Sequence, residues 1–96
     1  VVVGVLQLEL IIHGPQSLKQ KRAVVKSLLG RCRARFPVSC TESGYHDLWQ
    51  RAALGIAVVE KNEASADRIL QRVILEIERM ALADICRQEI ELIHYG

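Results

Sequence analysis

The hydrophobic period of this chain switches repeatedly between two and 3.6 residues, and the order of those switches is its strongest constraint on a fold. Leu6, Leu8, Leu10 and Ile12 alternate with Gln7 and Glu9, which predicts a strand over Val1–Ile12 with one greasy face. In its first half Val1, Val3 and Val5 make the opposite face apolar as well. His13-Gly14-Pro15 stops the strand, and Ser17 followed by Gln20 has the spacing of a capping box, so a helix opens there. Along that helix Leu18, Val25, Leu28, Leu29, Cys32 and Phe36 share one face. Lys21 points to the same side and is expected to snorkel past it. Phe36-Pro37 ends the helix, because the residue before proline is biased away from helical torsions.

A short second strand is predicted over Val38–Thr41, a polar loop over Glu42–Asp47, and a long third strand from about Trp49 to Glu60. Asn62 is placed to cap a second helix in which Ala66, Ile69, Leu70, Val73, Ile77 and Met80 recur every three or four residues. The alternation Glu89-Ile90-Glu91-Leu92 marks a fourth strand that starts near Ala83. Strand, helix, strand, strand, helix, strand is the order of a split βαβ unit, an α+β ferredoxin-like sandwich with both helices on one face of an antiparallel sheet ordered 4-1-3-2. Ninety-six residues suffice for one such domain, residues 1–96, and not for two. Its expected core is Leu6, Leu8, Leu28, Leu29, Leu54, Ile56, Val58, Ile69, Val73, Ile77 and Leu92.

Half of the residues are hydrophobic and a quarter charged, which excludes a disordered or collagen-like chain. No apolar run reaches membrane-spanning length, and Val1-Val2-Val3 has neither the basic leader nor the small-residue cleavage site of an exported protein. Cys32, Cys40 and Cys86 are odd in number and widely spaced, against a disulfide framework. The expected home is the cytoplasm, with no membrane partner.

Net charge is only +2, yet the segment Ser17–Arg35 holds seven basic and no acidic side chains, so the rest of the chain sums to −5. Such polarity steers anionic partners. Lys19, Lys21, Arg22, Lys26, Arg31, Arg33 and Arg35 are the candidate contacts for RNA phosphates, with Lys19, Arg22, Lys26 and Arg33 in one angular sector of the helix. Ala23, Ser27, Gly30 and Ala34 make a low crest beside them. A helical Gly30 costs about 1 kcal/mol relative to Ala, so it implies either a close contact there or an early helix end. Readout across the sheet is disfavoured: no RNP-like pattern occurs, and Gln7, Glu9, Glu89 and Glu91 fall on the face that RNA-recognition modules use.

Catalytic chemistry finds little footing. His13, His46 and His94 have no metal-ligand spacing, and with strands one and four antiparallel His13 and His94 fall at opposite ends. His46-Asp47 lacks a neighbouring nucleophile and reads as a loop-fixing pair, while the three thiols read as small hydrophobes. Gly4, Gly14, Gly30, Gly44 and Gly55 form no phosphate loop, and an acylphosphatase-type site fails for want of an Arg in the Gly14-Pro15 turn and of any Asn but Asn62. No cofactor or metal is implied. Val3, Val5, Ala53, Gly55, Ala57 and Val59 make the uncovered sheet face apolar and low, a candidate interface for a homo-oligomer.

Val3-Gly4-Val5-Leu6-Gln7-Leu8-Glu9-Leu10, Ser17-Leu18-Lys19-Gln20-Lys21-Arg22 and above all His46-Asp47-Leu48-Trp49-Gln50-Arg51-Ala52-Ala53-Leu54-Gly55-Ile56-Ala57-Val58-Val59 resemble the YlxP-like family of small bacterial proteins over essentially the whole chain. The resemblance implies the same ferredoxin-like fold. It marks Ser17, Leu18, Lys19, Lys21 and Arg22 at the helix entrance and His46, Asp47, Trp49, Gln50, Arg51, Leu54 and Gly55 around strand three. Where the family often carries an acidic residue this chain has Gly30, and the family's hydrophobic residue before the valine run is absent or different here. Members are often encoded near translation and ribosome-maturation genes, which implies ribosomal RNA or a ribosomal protein as partner. Three readings follow: an RNA- or ribosome-associated accessory factor using helix one, a self-associating structural or regulatory module, and a small-molecule enzyme whose site is assembled from loops.

Overall fold

Val2–Ile12 (β1) runs through the middle of a four-stranded sheet because alternate side chains bury completely on one face: Leu6, Leu8 and Leu10 are at most 1% exposed. The computed structural model describes residues 1–96. Leu18–Arg35 (α1), Ser39–Gly44 (β2), Arg51–Glu60 (β3), Glu63–Met80 (α2) and Ala83–His94 (β4) follow in order. The sheet order is β2-β3-β1-β4, which is 4-1-3-2 read from the other edge, and every pairing is antiparallel. Both helices pack on the same face, over a core of twenty buried residues that includes Leu28, Cys32, Leu54, Ile56, Leu70, Val73 and Ile77. Ile69 and Leu92, expected inside, are half-buried at its margin. Neither helix is long and apolar enough to cross a membrane.

Local chemistry sets the helix ends. Ser17 is extended and its hydroxyl accepts the Gln20 amide at 3.1 Å; the Gln20 side chain, however, accepts the Gln16 amide at 2.7 Å rather than that of Ser17. Asn62 caps α2 by accepting the Ser65 amide at 2.8 Å. Gly30 lies inside α1, exposed, with nothing within 4 Å of where a Cβ would stand, so the early helix end is excluded. At Gly4 a Cβ would meet Leu70 Cδ1 at 3.0 Å, so the missing side chain lets α2 settle close to β1.

The strand that departs most from expectation is β2. It begins at Ser39 and continues to Gly44, taking in Glu42 and Ser43, which the sequence placed in a loop. Glu42 pairs with Leu54 and therefore faces the helices, and a bulge separates it from the Gly44–Ala53 pair. An inward carboxylate survives there because Lys21 reaches it. Lys21 does not snorkel: it is fully buried, and its ammonium donates to Glu42 Oε2 at 2.6 Å and to the Tyr45 carbonyl at 2.8 Å. The connection to β3 shrinks to residues 45–50, and β3 starts at Arg51 rather than Trp49.

Candidate functional site

α1 divides its cations by what its neighbours do with them. Lys21 is withdrawn from the surface and cannot meet a phosphate. Arg31 and Arg35 lean on Glu76 of α2, with nitrogen–oxygen separations of 3.0 and 3.5 Å. Arg33 donates to the Cys40 carbonyl at 2.7 Å. Lys19, Arg22 and Lys26 are exposed and form no ion pair. The row predicted from the sequence is therefore narrower at its N-terminal end, and partly tethered toward its C-terminus. Arg68, Arg72 and Arg79 on α2 are exposed too, but Glu63, Asp67, Glu76 and Glu78 outnumber them on that helix, so the basic character of the helical layer comes from α1. Glu9, Asp84, Glu89 and Glu91 stand on the opposite sheet face or its edge, accompanied by Arg87.

The residues 45–50 connection is held from several directions. Tyr45 takes left-handed torsions, φ 58°, which a bulky side chain adopts only at a cost of about 1–2 kcal/mol. Its carbonyl accepts from Lys21 and from the Leu48 amide, its hydroxyl donates to Glu9 Oε1 at 2.8 Å, and Arg51 lies over its ring at 5.2 Å. The hydrogen bond to Glu9, with that carboxylate's charge, pushes the Tyr45 phenol above its ordinary value and keeps it protonated. His46 places Nε2 3.3 Å from the Glu42 carbonyl. Asp47, Leu48, Trp49 and Gln50 are exposed, and the Gln50 carbonyl receives the Ile12 amide at 2.7 Å. Lys21, within the Ser17–Arg22 block, thus ties α1 to Glu42 and to the Tyr45 carbonyl, just ahead of the His46–Val59 block.

Beside Tyr45 the open sheet face holds a polar hollow of about 450 Å³, bordered by Gln7, Glu9, Ser43, Ala53, Arg87 and Glu89. Arg87 is engaged by Glu89, which raises its already high affinity for its proton. The nearest thiol, Cys86, sits where the β1–β4 register shifts; it is exposed rather than packed as a small hydrophobe, and its Sγ donates to the Glu9 carbonyl at 3.3 Å. Arg51 donates to that sulfur, while its own Nε is buried without a partner. The Glu9 carboxylate accepts from the phenol yet holds it in its protonated form, and the Cys86 thiol faces a backbone carbonyl. Cys32 and Cys40 are buried, and burial pushes Cys32 up to about 11 and Cys40 upward in the same direction.

On the same face the register lines up Val59, Val3 and Ile93 in one row, then Ala57, Val5 and Glu91, then Gly55, Gln7 and Glu89, then Ala53, Glu9 and Arg87. All six residues named for an interface therefore lie together. Only the row of Val59, Val3 and Ile93 is wholly apolar, and β4 brings a charged side chain to each of the next three rows.

A βαββαβ sandwich with this sheet order defines a ferredoxin-like protein. Two solved structures share that fold. The chain spans a solved structure described as structural genomics protein YJCS with a TM-score of 0.60 at 10% identity, covering 93% of this chain and 96% of that one. It also matches a de novo designed ferredoxin-fold protein, TM-score 0.57 at 17% identity, over 100% of this chain and 88% of the other. At those identities the likeness is one of fold alone. In sequence, residues 3–90 match the profile of the family described as "Protein of unknown function (DUF503)". The uncharacterized protein YlxP of Bacillus subtilis (strain 168) is 43% identical over 77 residues, 80% of this chain and 84% of that protein. The chain belongs to the DUF503 family.

Proposed function

We propose that this protein is an RNA- or ribosome-associated accessory factor that grips phosphate backbone through α1. The observation that carries this reading is the row Lys19, Arg22 and Lys26: three exposed cations, spread over about 10 Å of helix, with no carboxylate paired to any of them. Cations that the fold does not use remain available to an external polyanion, and the acidic sheet face orients the approach so that the helices lead. RNA is favoured over other polyanions by the translation-linked gene setting of the resembling family. The contact is to backbone and carries little base discrimination. Replacing Lys19, Arg22 and Lys26 together by Gln leaves the Ser17 cap and the buried stripe intact. For a single-stranded RNA the slope of log affinity against log salt should fall in magnitude by about 2, at roughly 0.7 per phosphate contact. Equal affinity and slope for the two proteins would eliminate this surface.

The graded apolarity of the open sheet face favours a second reading, self-association. Val59 is 61% and Ile93 40% exposed, next to half-buried Val3, Val5 and Ala57. Four strands spaced about 4.8 Å apart and averaging about ten residues span roughly 600 Å² per copy, so a stacked pair reaches about 1,200 Å², the lower limit of a stable interface, when the whole face with its charged rows is buried. Sedimentation over a concentration series tests it: a monomer at high micromolar concentration removes the reading.

A further inference from the structure

Between α1 and α2 runs a groove of about 430 Å³ whose walls are Ser27, Arg31 and Arg35 on one side and Glu76 and Arg79 on the other. Its floor is the Glu76 carboxylate, with only 7% of that side chain exposed. Arg31 and Arg35 reach it from α1 while remaining 44% and 54% exposed, so each guanidinium gives one nitrogen to the floor and has further N–H groups free of any ion pair. Arg79 forms no ion pair. Three guanidiniums against one carboxylate leave an excess of +2 in a concave, partly dry place. The buried carboxylate has a second effect: it fixes two long side chains that would otherwise lose their freedom only when a ligand arrived.

We infer that this groove is a discrete phosphate site, in which Arg31, Arg35 and Arg79 chelate one phosphoryl group and the Ser27 hydroxyl adds a further donor. Planar guanidiniums match phosphate oxygens two at a time, and a phosphoryl group of charge near −2 balances the excess. The site differs from the diffuse row of Lys19, Arg22 and Lys26: it has walls, a floor and preset donors, and it does not depend on that row binding RNA. The phosphoryl group has two available sources, free inorganic phosphate or pyrophosphate, whose charge offsets most or all of the excess, and the phosphodiester of an RNA, which brings a single negative charge per group.

Titration of the whole chain with pyrophosphate, followed through the side-chain Nε–Hε signals of its arginines, tests the assignment. Saturable shifts at Arg31, Arg35 and Arg79 are expected. Arg79→Gln should weaken pyrophosphate binding about tenfold or more, the loss of one charge-assisted hydrogen-bonded contact, with no change in melting temperature because Arg79 holds nothing in the fold. Arg68→Gln, on the same helix but outside the groove, should bind like the parent. Shifts that never saturate, or an equal loss in Arg68→Gln and Arg79→Gln, would overturn the site. A short single-stranded RNA in a parallel titration separates the two sources and the two surfaces. Saturable pyrophosphate binding lost in Arg79→Gln, with no RNA bound by the parent, keeps the groove, assigns it to free phosphate and removes the helix-one reading. RNA binding lost in the Lys19, Arg22 and Lys26 triple variant but unchanged in Arg79→Gln, together with no pyrophosphate binding, removes the groove alone.

Discussion

Lys21→Met keeps an unbranched side chain of nearly the same length and deletes the one cation at the centre of the α1–β2 contact. In the native structure that ammonium gives two hydrogen bonds, one of them to a carboxylate whose side chain is only 17% exposed. Methionine replaces the buried methylenes, so the transfer term is nearly conserved, and the penalty comes chiefly from Glu42 left unpaired, the Tyr45 carbonyl keeping only the Leu48 amide. Removing one partner of a buried pair costs about 3–5 kcal/mol, and the slight exposure of Glu42 puts this case near the lower figure, about 3 kcal/mol. For a chain of this length that corresponds to a fall of about 12–24 °C in Tm. Urea unfolding is the assay, with an unchanged m-value as the sign that only stability has moved. Glu42→Leu should lose a comparable amount, since it leaves the buried ammonium without its counter-charge. The double variant Lys21→Met, Glu42→Leu, which removes both charges at once, should return to within about 1 kcal/mol of the parent. If each single substitution costs less than about 1 kcal/mol and the two effects simply add, the pair is not holding the structure as argued.

Other expectations are simpler to check. Gly30→Ala should stabilise by about 0.5–1 kcal/mol, since the site is helical, exposed and open, and Ala81→Gly by about 1 kcal/mol, since Ala81 ends α2 at φ 56°; chemical denaturation measures both, and a loss at either position contradicts the helix assignment there. Stability should decline as pH rises from about 9 to about 11, because unfolded Cys32 releases its proton near 9.0 while the folded thiol holds it to about 11, so the unfolded state binds fewer protons across that window; Cys32→Val should flatten the decline, and an unchanged slope would count against it. In native protein Cys86 alone should react with a disulfide reagent within minutes, with Cys32 and Cys40 following only on unfolding. Ala57→Arg should abolish any self-association seen by sedimentation and leave the far-ultraviolet spectrum unchanged, because the opposite core face is untouched.

The outline of this molecule was written in residue patterns that act locally. Ser17 and Asn62 announce their helices because a hydroxyl or amide oxygen at an N-cap meets the same free amides in any chain. The alternation of Leu6, Leu8 and Leu10 fixes β1, and the shared stripe of Leu28, Leu29 and Cys32 places α1, because burial there depends only on periodicity. What escaped were residues whose meaning depends on a partner far away in sequence. Glu42 looks like a loop residue until Lys21, twenty-one positions earlier, is found beneath it. Arg79 stands among acidic neighbours on α2 and gains its significance only from Arg31 and Arg35 across the groove. Cys86 follows the strand pattern until the register shift after Glu9 turns it outward.

The buried Lys21–Glu42 pair also bears on which structures the chain refuses. β2 is one of the two edge strands, and its sequence Ser-Cys-Thr-Glu-Ser-Gly offers only Cys40 as a hydrophobic pointer. Apolar alternation is therefore too weak to choose between the native alignment on β3 and a slip by one residue. A slip would turn Glu42 outward and leave the Lys21 ammonium sealed in the interior with no counter-charge. The ion pair acts as a lock that only one alignment opens, and a hydrophobic replacement of both residues, however stable, should trade that selectivity for a mixture of alignments visible as doubled backbone resonances along β2.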